Sequence, residues 1–460
     1  MARSSTELRQ DAVAIWQAAV NAVDSARLVQ EQLRVDGETL CIAEHTISLG
    51  SIRRIAVVGT GKAGAGMAEG VESALGAQRM ADKDLTGWIN VPADCVRTLN
   101  RITLHAARPA GLNEPTAAGV EGARRILDLV ESLTDDDLCI CLISGGGSAL
   151  LPAPVKGISL ADKQTITKLL SDSGANIEEL NTVRKQLSRI KGGGLARACR
   201  AQLVTLIISD VIGDPLDVIA SGPTVPDSAG PIDALQVLNK FGGPEAGFPA
   251  SAFEYLERQT RSEADSGGSE PFDNVVNLVI GNNAVAVDAA GMEAERRGYS
   301  HAMVAATKLE GQAEEVGKHL AEMAVRMLEE TGPAGPDCLI TGGEPVVQLV
   351  PQEKRGLGGR NQQLVLAALA DLIERRGNST NPIDGIALLS GGTDGEDGPT
   401  DAAGAVIDAS VFAAMKEHSM SPQEFLARND AYHFFDPLAA LIRTGPTHTN
   451  VCDIRVLVTN

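Results

Sequence analysis

Short, continuous apolar runs alternate along this chain with longer stretches whose apolar residues recur at helical spacing. From Ile52 onward, β-branched runs at 53–58, 86–91, 138–143, 203–208, 275–280, 301–306, 337–341, 385–390 and 454–459 predict strands. Most are five or six residues long and apolar throughout, as expected of strands buried on both faces of a mainly parallel sheet. Between them, segments 64–76, 116–131, 160–172, 283–297, 311–330 and 361–376 predict helices. Residues 6–35 predict an amphipathic helix carrying Leu8, Val13, Ile15, Trp16, Val20 and Val23. Repeated strand–helix alternation defines an α/β architecture.

A chain of 460 residues exceeds one ordinary core, so two α/β domains are expected. Gly242-Gly243-Pro244 and the polar stretch Arg261–Pro271 mark a boundary within 241–272, giving domains 1–245 and 246–460. Charged residues at 22% and hydrophobic ones at 43% predict a soluble globular protein. No apolar run approaches the ~18 residues of a membrane span. The first ten residues hold Glu7 and no apolar core, so no secretory signal is expected and the cytoplasm is the expected location. The net charge of −20 and only 13 aromatic residues argue against nucleic acid or an anionic membrane as partner. The seven cysteines form no CxxC pair, and Cys139 and Cys141 alternate inside an apolar run as buried strand thiols would.

Glycine is unevenly placed. Of 48 glycines, 19 fall in six loops, at 59–66, 145–147, 192–194, 342–343, 356–359 and 391–398. Three strands end alike, in Ser144-Gly-Gly-Gly147, Thr341-Gly-Gly-Glu344 and Ser390-Gly-Gly-Thr393. Such ends read either as ordinary βα turns or as strand carboxyl ends converging on one polyanion. The loop Gly59-Thr-Gly61-Lys62-Ala-Gly64 fits GxGxxG, which raises a dinucleotide site. The second strand, however, ends in Pro92-Ala-Asp94, a poor ribose-binding acid, and Lys62 adds a full cation to the turn. Lysine plus backbone N–H groups suits phosphate or carboxylate. Ser144-Gly145-Gly146-Gly147-Ser148 exposes bare backbone between two hydroxyls and lacks the GxSxG of a nucleophile elbow.

Between Asn181 and Ser209 lie six basic residues and no acid. Arg184, Ser188 and Lys191 are spaced for one helical face, with Gly192, Gly193 and Gly194 as its expected C-terminal cap. Positive charge beside a glycine loop suits a triphosphate. Asp210, at a strand's carboxyl end, reads as a base, a metal-holding carboxylate or a turn cap. In the second half, Arg360 opens a helix with Asn361 beside it, placed to grip a carboxylate or phosphate through two parallel bonds. Asp394, Glu396, Asp397 and Asp401 put four acids in eight residues, suited to a hard cation such as Mg²⁺ or to a polar wall. Thr447, His448 and Asn450 add polar groups near the end of the chain. Glycine loops, isolated cations and strand-end acids, without an activated Ser or Cys, match phosphoryl transfer.

These segments are found together in one family. Gly59-Thr-Gly-Lys-Ala-Gly64, Ser144–Ser148, Val183-Arg-Lys185, Lys191–Ala196, Ser209-Asp-Val211, Ser221-Gly-Pro-Thr224, Gly358-Gly-Arg-Asn-Gln362, Asp394-Gly395, Pro399-Thr-Asp401, Gly445-Pro-Thr447 and Thr449-Asn450 run in order through nearly the whole chain. They resemble the glycerate 2-kinase family, whose C-terminal part is the MOFRL domain and which also carries the label hydroxypyruvate reductase. The resemblance implies a Rossmann-like N-terminal domain, a MOFRL-type α/β domain and an active site in the interdomain cleft. It implies transfer of the ATP γ-phosphate to the 2-hydroxyl of D-glycerate, with Mg²⁺. Lys62 and Arg360 look like the family's principal catalytic-site residues. The chain departs from the family at Ala107-Arg108-Pro109, where many members have Gly-His-Pro.

Lys62, Arg360 and Asp210 are the catalytic candidates. Gly61, Ser144, Gly145, Gly146, Gly147, Ser148, Arg184, Lys191, Gly192, Gly193, Asn361, Thr447 and Asn450 are the candidates for substrate and nucleotide, and Asp210 and Asp394 for metal. ATP and Mg²⁺ are the expected cofactors, and the oligomeric state stays open, with a homodimer one expectation. An NAD(P)H-dependent hydroxypyruvate reductase rests on GxGxxG alone, and a non-catalytic nucleotide-binding protein is a third alternative.

Overall fold

The computed structural model describes residues 3–112, 114–263, 272–329 and 335–460. The chain divides into two units, one of residues 25–280 and one of residues 1–24 with 281–460. The expected cut after residue 245 therefore moves, for a physical reason. Helix Ala250–Glu263 buries Ala252, Phe253 and Leu256 against Ala234 and Leu238 of helix Pro231–Lys240, inside the first unit. Of the polar stretch Arg261–Pro271, residues from 264 on lie outside the described residues.

The first unit opens with an antiparallel meander, β1 (Leu33–Asp36), β2 (Thr39–Ile42) and β3 (His45–Ser48). Its main sheet holds β4 (Ile55–Thr60), β5 (Thr86–Pro92), β6 (Ile102–Arg108), β7 (Leu138–Ser144), β8 (Gln202–Ile208) and β9 (Val275–Gly281), in the order β6-β5-β4-β7-β8-β9. The pairs from β6 to β8 are parallel. β4 and β7 are buried at every position, which is why their sequences read as unbroken apolar runs. Helix Ala117–Glu131 packs Ala123, Ile126, Leu127 and Val130 onto Ala56, Val58, Cys139, Cys141 and Ile143. A small helical cluster, built on Leu160–Asp172 and Ile177–Gln186, has its own core of Ile166, Leu170, Val183 and Leu238.

The second unit holds β10 (His301–Val304), β11 (Cys338–Gly343), β12 (Ile386–Gly392), β13 (Gly404–Ile407), β14 (Leu441–Ile442) and β15 (Asp453–Thr459), in the order β10-β11-β15-β12-β13-β14. This sheet is mixed. β15 runs antiparallel to both β11 and β12, so the expectation of mainly parallel strands holds for the first unit only. Helices Ala313–Glu329 and Arg360–Arg375 cover one face through Leu320, Ala324, Leu364 and Ala368, on Ile386 and Leu388. The alternating pleat turns Gly391 to the opposite face, where Trp16 donates to its carbonyl at 3.2 Å.

All nine expected strands are present, each shifted by no more than a few residues. The expected helix 6–35 is not continuous. Ser5–Ala22 ends at its cap Val23, and Ser25–Gln32 begins a separate helix in the other unit. Ser25, Ala26 and Val29 press against Gly66 and Gly70 of helix Gly64–Asp82, so close that a Cβ on Gly66 would stand 2.0 Å from Ser25 Oγ. Residues 33–35 turn into β1 because Gly37-Glu38 makes a two-residue hairpin turn, with Gly37 at φ +58.

Candidate active site

In the first unit the candidate residues gather at the carboxyl ends of the parallel strands, where open α/β sheets place ligands. The turn after β4 is stitched to the turn after β7. Lys62 N donates to Gly145 O at 2.9 Å, and Ala63 N to Ser144 Oγ at 3.0 Å. Gly61 adopts φ +127, and a Cβ there would stand 2.1 Å from Ser144 Oγ. Gly59 likewise faces Leu142 O at 2.3 Å and Gly64 faces Ile89 at 2.9 Å. The GxGxxG glycines thus let strands and helix pack closely, a sufficient reason for the motif without a dinucleotide. Ser144 is buried with its hydroxyl on Ala63, and Gly147 packs on Thr60 and Ala220. These two residues shape the turn.

Three cations reach that turn. A Cβ placed on Gly146, itself at φ +74, would lie 3.4 Å from Arg108 Nη2 and 3.7 Å from Lys62 Cγ. At the other end, Lys191 Nζ donates to Ser148 O at 2.9 Å and to Ser148 Oγ at 2.5 Å. Ser148 Oγ in turn meets Ser221 Oγ at 3.0 Å, and Ser221 donates to Asn181 Oδ1 at 3.2 Å. Behind Lys191 stand Arg184 and Lys163. Lys163 Nζ donates to Leu187 O at 2.9 Å and Arg184 O at 3.4 Å. Burial pushes Lys163 down to about 7, with the Arg184 charge adding to the effect. Burial, and then the charges of Lys163 and Arg184, hold Lys191 well below the usual lysine range. Three cations sharing a buried place without a carboxylate among their described partners suit a polyanion.

Several expectations about this region change. Helix Ile177–Gln186 stops before Ser188 and Lys191, so Arg184, Ser188 and Lys191 do not share one helical face. Gly192 and Gly193 precede the short helix Gly194–Ala198 instead of capping the earlier one. Their N–H groups are spent on Ser221 O at 3.0 Å and Gly222 O at 2.7 Å, which leaves neither for a phosphate. The six basic residues are also partly neutralised. Lys185 pairs with Asp217 and Asp227, each at 3.3 Å, and Arg189 with Glu131 at 2.9 Å. Asp210 follows β8 at the same sheet edge and is half-buried.

In the second unit the site residues meet because β15 is antiparallel. Its first residue, Asp453, stands in register with Gly343 of β11 and Gly392 of β12. Arg360, the first residue of its helix, donates Nε to Asp453 Oδ2 at 2.7 Å, Nη2 to Oδ1 at 2.9 Å and Nη1 to Glu344 Oε1 at 2.8 Å. Burial opposes the Arg360 charge, but Asp453 and Glu344 outweigh it and hold the guanidinium firmly protonated. Three of its five N–H donors are therefore committed to carboxylates, one on each nitrogen. Burial, helped by Asp453 and Asp394, raises Glu344 despite Arg360. Asp397 caps the Arg360 helix, accepting from Asn361 N at 3.0 Å and Gln362 N at 2.8 Å. Its burial nevertheless pushes it up to about 7.

Asn361 is fully buried, its amide bound to Asp397 and to Ser390 Oγ at 2.6 Å, so it joins helix to sheet. Thr447 donates to Thr393 O at 2.5 Å, and its N–H reaches Asp394 O at 3.2 Å, fastening the 444–450 loop to the acidic loop. Asn450 is half-buried in the same loop, and Asp394 Oδ1 accepts from Glu396 N at 3.1 Å. Among the described residues no group of three or more His, Cys, Asp or Glu side chains is arranged to hold a metal. Sequence reasoning missed Asp453, Glu344, Arg108 and Lys163 as site residues. Glu344 was legible in its strand-end Gly-Gly-Glu, whereas Asp453 and Arg108 needed the register.

Residues 11–257 match the DUF4147 family, a domain of unknown function, and residues 337–453 match the MOFRL family. Glycerate kinase of Rattus norvegicus is 38% identical over 99% of this chain and 94% of its own length. D-glycerate 2-kinase of Thermotoga maritima is 40% identical over 75% of this chain and 78% of its own. The crystal structure of a Thermotoga maritima glycerate kinase matches with a TM-score of 0.82 at 34% identity, covering 99% of this chain and 100% of that one. A Pyrococcus horikoshii crystal structure matches with a TM-score of 0.81 at 31% identity, covering 100% and 99%. The chain is therefore an α/β protein built from a DUF4147 region and a MOFRL region. It belongs to the glycerate 2-kinase family.

Proposed function

We propose that this chain is an ATP-dependent kinase that phosphorylates the 2-hydroxyl of D-glycerate, releasing 2-phosphoglycerate and ADP. The observation that carries this reading is the convergence of Lys62 and Lys191 on the two ends of the Gly145–Ser148 turn. Fixed cations neutralise charge on a transferring phosphoryl group, and positioning does most of the remaining work. Arg184, Lys191 and Ser148 would hold the nucleotide phosphates, and Lys62 the γ-phosphoryl. As the C2 oxygen bonds to the γ-phosphorus, the bond to the β–γ bridging oxygen breaks and the hydroxyl proton passes to a carboxylate. Asp210 and Asp394 are the candidates for that proton.

In this reading Mg²⁺ arrives with ATP. Mg²⁺ binds through one or two carboxylates plus substrate phosphates and water, and needs no all-protein cage. Asp210 or Asp394 would supply such a carboxylate, and the bound ion would neutralise phosphate charge. The reductase reading loses its only motif, since the GxGxxG glycines are accounted for by packing contacts.

An ATP-coupled assay with D-glycerate, followed by ³¹P NMR of the product, tests the reading. ADP release with a 2-phospho product is expected. No ADP release, a 3-phospho product, or NADH oxidation with hydroxypyruvate would overturn it.

A further inference from the structure

The family motifs leave Arg108 without a role, yet three observations aim it at the reacting end of the site. First, β6 is the edge strand of the sheet, and its pairing with β5 slips between Val91 and Pro92. Ala106 pairs with Val91 and Arg108 with Pro92, so Ala107 is the extra residue of a bulge. Bulges at sheet edges re-aim the side chain that follows them. Second, Ala107 and Arg108 are buried in succession, which a regular strand with one solvent-facing side would not give. Third, Arg108 Nη2 and the Lys62 stem border the same space above Gly146, at 3.4 and 3.7 Å from where its Cβ would be.

The turn at 144–148 thus has two differently furnished ends. The Ser148 end has Lys191 with Arg184 and Lys163 behind it, three basic groups whose crowding a polyphosphate would relieve. The Gly146 end has one lysine and one arginine. Lysine is a compact point charge, while a guanidinium is a planar fork matched to the two oxygens of a carboxylate. At 5% exposure, Arg108 sits where little water screens that interaction. We infer that Arg108 is the specificity residue that grips the carboxylate of the acceptor, with Lys62 standing between that carboxylate and the nucleotide phosphates. This rests on the kinase reading above and deepens it by naming the residue that selects the acceptor for its anionic end.

The test compares D-glycerate with D-glyceramide, which keeps the 2-hydroxyl and lacks the charge, in the wild type and in Arg108→Gln and Arg108→Lys. Losing a charge-assisted bond is expected to raise KM for D-glycerate about 10- to 150-fold in Arg108→Gln. The preference for glycerate over glyceramide should shrink by a similar factor, while KM for ATP stays within about threefold. Arg108→Lys should recover part of the preference, and it carries the test alone if Arg108→Gln fails to fold. An unaltered preference in either folded variant, or a rise in KM for ATP instead, overturns the assignment. If the wild type itself phosphorylates no D-glycerate, the kinase reading fails instead, and the two failures are distinguishable.

Discussion

Arg360 is tied to two carboxylates, and that tie alters what its removal should do. Arg360→Ala takes away a cation of the site and also leaves Asp453 buried without its partner. Breaking a buried pair costs about 3–5 kcal/mol, and the 34% exposure of the Arg360 side chain moves this case toward or below the lower end. Arg360→Ala should therefore lower both turnover and thermal stability, whereas Lys62→Ala should lower turnover by about 10²–10³-fold with stability unchanged. Steady-state kinetics and calorimetry on the two variants check this, and equal stability losses would defeat the distinction. Gly61 gives a complementary case. Its φ of +127 and its contact with Ser144 leave no room for a methyl group. Gly61→Ala should destabilise by more than about 1 kcal/mol, measured by urea unfolding, and should misplace Lys62. The sequence offered Gly61 and Lys62 as candidates; the neighbour that makes the glycine necessary lies 83 residues away in Ser144.

At the scale of elements, Lys163 links helix Leu160–Asp172 to the end of helix Ile177–Gln186 through the Leu187 and Arg184 carbonyls. Its pKa falls from 10.5 to about 7 in the folded protein, so between those values the unfolded chain binds more protons. Stability contributed by this group must then rise with pH across about 7 to 10.5, and its full penalty is present below 7. Replacing it by Met should flatten that rise. Unfolding curves of wild type and Lys163→Met across that window test the point, and parallel pH profiles would refute it. Long, uniformly apolar strands such as β4 and β7 were legible because burial on both faces leaves a continuous signal. The short strands β13 and β14, the alternating edge strand β6 and the meander β1–β3 were not. Their patterns are brief or are shared with turns and helices, and pairing partners decide them.

At the scale of the whole molecule, the N-terminal helix Ser5–Ala22 is a structural part of the unit formed by residues 281–460. Trp16 lies at 1% exposure and donates to Gly391 O, on the face of β12 opposite the Arg360 helix. Trp16→Ala should cost about 3–5 kcal/mol. Residues 281–460 expressed alone should fail to give a cooperative unfolding transition, and fusing residues 1–24 to them through a flexible linker should restore it. A stable fold of 281–460 alone would contradict that role. By itself the sequence determined the α/β class, the principal strands and helices, and the family, because periodicity and ordered motifs are local properties of the chain. It also offered Lys62 and Arg360 as site candidates, each marked by adjacent glycines. That residues 1–24 join the C-terminal sheet, that Asp453 and Glu344 share Arg360, and that a bulge aims Arg108 at Gly146 came from contacts between distant segments. Those outcomes depend on strand order, direction and register. Such quantities are set by pairing between distant segments, and no segment carries them alone.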